Sequence, residues 1–168
     1  MVCVGFEAVE DAAAQVLILG TLPSTESLKL DEYYAKKANS FWRIMGDLVG
    51  AIPEMAYQDR LHILKKNGIA LWDVCLSAER TGSLDAKILQ SSVVPNDFDS
   101  FLCVHNRIQQ ICFNGQPAEK MFRRKVPTDI SRFRCEVLPS TSPAHARVTY
   151  QEKLSCWRAS LGNAIDFA

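Results

Sequence analysis

Two segments of small residues and proline have the composition of ligand-contacting loops. Gly20-Thr21-Leu22-Pro23-Ser24 follows an apolar run, QVLIL, at residues 15–19, and Leu138-Pro139-Ser140-Thr141-Ser142-Pro143-Ala144-His145-Ala146-Arg147 follows FRCEVL at residues 133–138. Small residues let a backbone approach a ligand closely, and proline reduces the entropy lost in fixing a loop. The Ser/Thr-rich second loop offers several neutral donors to phosphate. His145 can donate to the same kind of group, and Arg147 reads equally as a phosphate contact or as the first-turn charge of a following helix. Between the loops come Tyr33-Tyr34 and Asn39-Ser40-Phe41-Trp42. On residue physics alone Asn39 or Ser40 is an N-cap. Asn114-Gly115 is a common turn dipeptide. Asp73 and Asp97 read as acids near the sheet edge, although Asp97 reads better as an N-cap.

The elements that position these loops follow from periodicity. Residues 15–19 form an unbroken apolar run, the pattern of a strand buried on both faces of a parallel sheet. Phe41, Ile44, Met45, Leu48 and Val49 recur at helical spacing within residues 40–49. A second helix is predicted over residues 57–66, stopped by Asn67-Gly68. Further strands are expected at 69–74, 108–113 and 133–138, and further helices at 98–105, 118–124 and 149–165. Strands alternating with helices predict an α/β single-domain, three-layer α/β/α sandwich on a four-stranded, mostly parallel sheet. Ligands of such sheets lie beyond the carboxyl ends of the strands. The connections at residues 20–39, 73–96, 114–116 and 139–147 are therefore the candidate site loops.

Composition narrows the function classes. The chain has 168 residues and carries 19 Lys+Arg against 19 Asp+Glu, which argues against a dedicated electrostatic nucleic-acid binder. The charge is uneven, however. Residues 1–35 hold one cation against six acids, whereas residues 117–150 hold seven cations against three acids, a split that can place phosphate contacts on one face. The six cysteines show no C-x-x-C pair or tight Cys/His cluster. They are read as reduced, mostly buried apolar residues, with no metal site. No apolar run reaches the roughly 18 residues of a membrane span, and the first eleven residues lack the basic start of a secretory signal. A cytosolic location, or a nuclear one in a eukaryote, is expected, and nothing suggests an obligate oligomer, so a monomer is expected.

The combination GTLPS, YYAKKANSFW and LPSTSPAHAR resembles the uracil-DNA glycosylase superfamily over most of the chain. Gly20–Pro23 matches its first motif, a strand followed by Gly-x-x-Pro. Tyr34 and Asn39-Ser40-Phe41-Trp42 match the aromatic and the Asn-x-Phe-Trp segment of its mismatch-specific branch, and Ser142-Pro143 matches its second motif. The set is most similar to the hypoxanthine-DNA glycosylase branch. The resemblance implies a monofunctional glycosylase that extrudes a deaminated base from DNA and hydrolyses its N-glycosidic bond without metal or cofactor. The transition state is oxocarbenium-like, and negative charge develops on the departing base.

The resemblance also implies roles. Leu22 stands where uracil-specific relatives carry Asp and mismatch-specific relatives Asn, and it cannot orient water. Asn39, whose amide can accept from water and donate to sugar or base, is implied as the catalytic residue. Gly20, Thr21, Leu22, Pro23, Tyr34 and Asn114 are implied as base contacts, with Tyr34 stacking. Ser24, Ser140, Thr141, Ser142, Pro143, Ala144, His145 and Arg147 are implied as DNA contacts; His145 corresponds to a base-contacting or a wedge position. Phe41 and Trp42 are expected in the core, and His62 and His105 in structural roles. Two other readings stay open: a mismatch uracil or thymine glycosylase, and a non-catalytic nucleotide- or DNA-binding module of the same fold.

Overall fold

Where a strand is apolar at every position, both of its faces need cover, and the computed structural model of the chain, which describes residues 1–167, provides it. In order the elements are β1 (Val2–Val4), β2 (Val16–Gly20), α1 (Thr25–Leu30), α2 (Phe41–Val49), α3 (Tyr57–Lys66), β3 (Ile69–Asp73), β4 (Cys75–Glu79), β5 (Val94–Pro95), α4 (Phe98–Val104), β6 (Gln110–Asn114), α5 (Gln116–Lys125), β7 (Arg134–Leu138) and α6 (Tyr150–Leu161). The main sheet has the order β3-β2-β6-β7, and every pairing in it is parallel. All five residues of β2 are buried. Leu17 and Leu19 face a core built with α4 and α5, including Phe98, Phe113 and Phe122. Val16 and Ile18 face the opposite core, where Phe41, Met45, Leu64 and Trp157 bring in α2, α3 and α6. The sandwich is thus three-layered, as expected. Phe41 and Trp42 are core residues. Among the described residues no helix is long and apolar enough to cross a membrane.

Several boundaries and two connections differ from the sequence reading. The stretch of residues 20–39, read as a loop, contains α1, whose six residues are too few to show a period. Ser24 is its N-cap and accepts from the Ser27 amide at 3.1 Å. The stretch of residues 73–96, also read as a loop, contains β4 and β5, which form a second, antiparallel sheet with β1. These strands are short, and a register shift between Cys75 and Ser77 breaks their alternation. The last helix ends at Leu161 rather than 165, with Gly162 at its C-cap. The cysteines are not mostly buried: Cys3, Cys75 and Cys112 are, whereas Cys103, Cys135 and Cys156 are exposed. His105 is structural, with its ring held between the Phe101 carbonyl and Glu10, and Asp97 caps α4.

Candidate active site

The four parallel strands end at Gly20, Asp73, Asn114 and Leu138, and a cavity of about 860 Å³ opens beside these ends. It lies where strand order reverses, with β3 on one side of β2 and β6 and β7 on the other. Its size is that of a small-molecule pocket.

One wall is the chain between α1 and α2. It leaves α1 through Asp31 at φ 55°, and Tyr34 also has φ 55°. A left-handed tyrosine costs on the order of 1–3 kcal/mol and persists only where its surroundings impose it. Here Trp42 Nε1 donates to the Tyr33 carbonyl at 2.8 Å, and the Tyr33 amide donates to the Tyr57 hydroxyl at 2.9 Å. Arg60 bonds Glu32 at 3.2 Å with its guanidinium over the Trp42 and Tyr57 rings. The Tyr34 ring stacks on Phe41 at 4.1 Å and 22°, and Tyr34 lines the cavity. Burial, then the neighbouring Asp73 carboxyl, raise its hydroxyl above the usual phenol range, with the nearby Asn114 side chain opposing the shift.

Asn39 lies at the start of α2. Its Oδ1 accepts from the Phe41 amide at 2.9 Å, so it caps that helix although the boundary residue is Ser40. The cap also orients the amide: Oδ1 is at the helix and Nδ2 is the other end. Asn39 lines the cavity as well. Thr141 fastens this start of α2 to the second loop. Its carbonyl accepts from the Ser40 amide at 3.0 Å and the Ser40 hydroxyl at 3.2 Å. Its own amide donates to Asn114 Oδ1, and its hydroxyl accepts from Asn114 Nδ2, both at 2.9 Å. Asn114 is thus engaged at both ends of its amide while lining the cavity. Gly115 follows with φ 96°, where a Cβ would lie 2.8 Å from Ser140 Cβ, so the two strand ends meet without room for a side chain.

The floor is acidic. Asp73 pairs in register with Gly20 and is 3% exposed. A Cβ at Gly20 would collide with Asp73 Oδ1 and lie 3.3 Å from the Tyr34 hydroxyl, so Gly20 is required for close approach. Burial and then the charge of Asp85 raise the Asp73 carboxyl to about 8, with Arg80 opposing. Burial raises Asp85 too, against a 2.5 Å hydrogen bond from the Thr21 hydroxyl and the charge of Arg80. Arg80, 2% exposed, donates to the carbonyls of Leu22 (3.3 Å), Gly82 (2.8 Å) and Pro23. Its guanidinium therefore fixes the first loop from beneath.

The structure brings together every residue expected at the site except Arg147, which is exposed and lies outside the cavity lining. Gly20 to Ser24, Tyr34, Asn39, Asn114 and Ser140 to His145 all line it. Leu22 is buried, and His145 is half-buried in a turn whose amide donates to the Ser142 carbonyl. Sequence reasoning did not single out the wall formed by Ser83, Leu84, Asp85 and Ala86, or the Arg80 beneath it. It placed Asp73 only among acids near the sheet edge; the strand-end rule would have sufficed to select it. Among the described residues no group of His, Cys, Asp and Glu could hold a metal ion.

Comparison with known proteins bears on family and fold. A protein of Methanosarcina acetivorans named Hypoxanthine DNA glycosylase is 38% identical over 159 residues, covering 92% of this chain and 95% of the relative. A Methanosarcina barkeri protein of the same name is 36% identical over 113 residues, covering 67% and 70%. The solution NMR structure of a candidate uracil DNA glycosylase from Methanosarcina acetivorans superposes with a TM-score of 0.77 at 38% identity, covering 95% of this chain and 96% of that one. The family model described as the uracil DNA glycosylase superfamily matches residues 6–161, and the chain belongs to that superfamily.

Proposed function

We propose that this glycosylase hydrolyses the N-glycosidic bond of a deaminated base flipped out of DNA, with hypoxanthine its first substrate. The observation that carries the reading is the convergence of Tyr34 and Asn39 on one strand-end cavity while Leu22 occupies the usual water-positioning place. The name shared by the two relatives supports the choice of base.

The extruded base enters the cavity and stacks on Tyr34, whose strained backbone presets the ring before substrate arrives. Asn39 holds the attacking water. Its Oδ1 keeps one lone pair beyond the helix cap, and Nδ2 can donate to the sugar or base. Water adds to the anomeric carbon as the glycosidic electron pair leaves with the base, and the water's proton passes to solvent or base. No covalent nucleophile is required, so an abasic site remains in an intact strand. The Ser/Thr-rich second loop and Ser24 offer neutral donors to the flanking phosphates, and His145 is placed to contact the base or the strand.

Purified protein is incubated with duplexes carrying hypoxanthine, uracil, xanthine or mismatched thymine, then treated with alkali. Strand cleavage at hypoxanthine is the expected result. Cleavage only at uracil or thymine would move the chain to the mismatch reading. Cleavage at none, with retained salt-dependent binding to an abasic duplex, would make it a non-catalytic module.

A further inference from the structure

Asp73 has no part in the mechanism above, yet it is the one polar floor group whose bonding is unfinished. Its Oδ2 is buried without a hydrogen-bond partner among the described residues. Buried polar atoms nearly always have partners, and an exception beside a cavity calls for a group that can supply one. The surrounding groups are engaged: Asn114 with Thr141, the Thr21 hydroxyl with Asp85, and Asn39 Oδ1 with α2. Gly20 keeps its carbon skeleton clear of the Asp73 carboxyl.

On the reading that this cavity excises deaminated bases, we propose that Asp73 is the residue that pairs with the N–H/C=O edge created by deamination. Hydrolysis of an exocyclic amine turns an amino group beside a ring-nitrogen acceptor into a carbonyl beside a ring N–H. A neutral carboxyl has a donor next to an acceptor, which complements that edge. Ionised, it would still accept from the ring N–H but would face the carbonyl with lone pairs alone, so the pairing weakens. The titratable and charged groups around it are the Tyr33 and Tyr34 hydroxyls, the Cys75 thiol, Asp85 and Arg80. Burial first, and then Asp85, keep the carboxyl protonated up to about pH 8.

The test compares single-turnover excision of hypoxanthine with that of 1-deazapurine, which carries C–H in place of both edge groups, from the same duplex. Wild-type protein is expected to favour hypoxanthine. Asp73→Leu should slow hypoxanthine excision roughly 10- to 100-fold, the loss of one buried hydrogen bond, and slow 1-deazapurine excision far less. Equal slowing of both overturns the assignment. If the wild type excises neither base, it is the proposed function that fails, an outcome distinct from a ratio that Asp73→Leu leaves unmoved. Should Asp73→Leu not fold, Asp73→Asn decides through pH. The wild-type ratio of hypoxanthine to 1-deazapurine excision should fall above about pH 8 as the carboxyl ionises and loses its donor to the carbonyl, and the amide variant, which keeps a donor and an acceptor, should lose that component. An identical decline in both proteins belongs to the base itself and sinks the proposal.

Discussion

Because Asn39 Oδ1 is fixed on the Phe41 amide, its cap and its proposed catalytic duty can be separated by which part of the side chain a substitution removes. Asn39→Ser retains an acceptor for the helix amide but loses Nδ2 and the reach to a water. We expect it to melt within about 1 kcal/mol of wild type and to lose about 100-fold in single-turnover excision. Asn39→Ala should lose the same activity and in addition destabilise by about 1 kcal/mol. Full activity in either variant would remove Asn39 from the chemistry. Gly20 offers an independent check of the cavity floor. In Gly20→Ala the new methyl meets Asp73 Oδ1 and the Tyr34 hydroxyl, both of them side-chain atoms. The fold should survive by thermal melt while excision drops at least about 10-fold, as a site displaced by a fraction of an ångström does; unchanged turnover would mean that base and water do not use this corner.

Thr141 ties the ends of β6 and β7 to the start of α2 through Asn114 and Ser40, so the two loops act as one unit. Asn114→Ala strips the partner from the amide of Thr141, a residue 1% exposed, and by that route should lower unfolding free energy by about 1–3 kcal/mol in a denaturant titration. A loss of activity without any loss of stability would instead assign Asn114 to the base alone. This brace also shows what was legible in the sequence. The unbroken apolar run of β2 and the helical spacing of α2 announce themselves locally, and with them the strand-end loops. The resemblance carried by Gly20–Pro23, Asn39–Trp42 and Ser142-Pro143 selected the two loops that face each other across the cavity, about half of its lining. The Arg80 clamp on Leu22 and Pro23, however, spans more than fifty residues. Thr21–Asp85 spans sixty-four. Such contacts leave no period in the chain. The α1 helix has too few turns for one, and β4 and β5 are broken by their register shift.

At the scale of the molecule, two carboxyls and a guanidinium packed under one loop make the site a place where stability is given up for function. Asp73 is held at about 8 against 3.8 for an exposed carboxyl, chiefly by burial. The folded protein therefore binds this proton more tightly than the unfolded chain does. Where the native state holds more protons than the unfolded one, stability falls as pH rises. The stabilising proton is fully present in both states below about pH 4, and its contribution is lost progressively between about 4 and 8, the two pKa values that bound the window. A shift of this size corresponds to several kcal/mol by linkage, and because the side chain is 3% exposed, solvent screening removes little of it. Asp73→Asn keeps the shape and abolishes the titration. Its stability relative to wild type should therefore climb steadily between pH 4 and 8 in thermal or denaturant unfolding, then level off. Other carboxylates protonate in both proteins alike, so they drop out of the difference. Curves for the two proteins that run parallel across this range would mean that Asp73 is ionised in the fold, with a neighbouring cation or water compensating it, and that the protonated floor inferred above is absent at neutral pH.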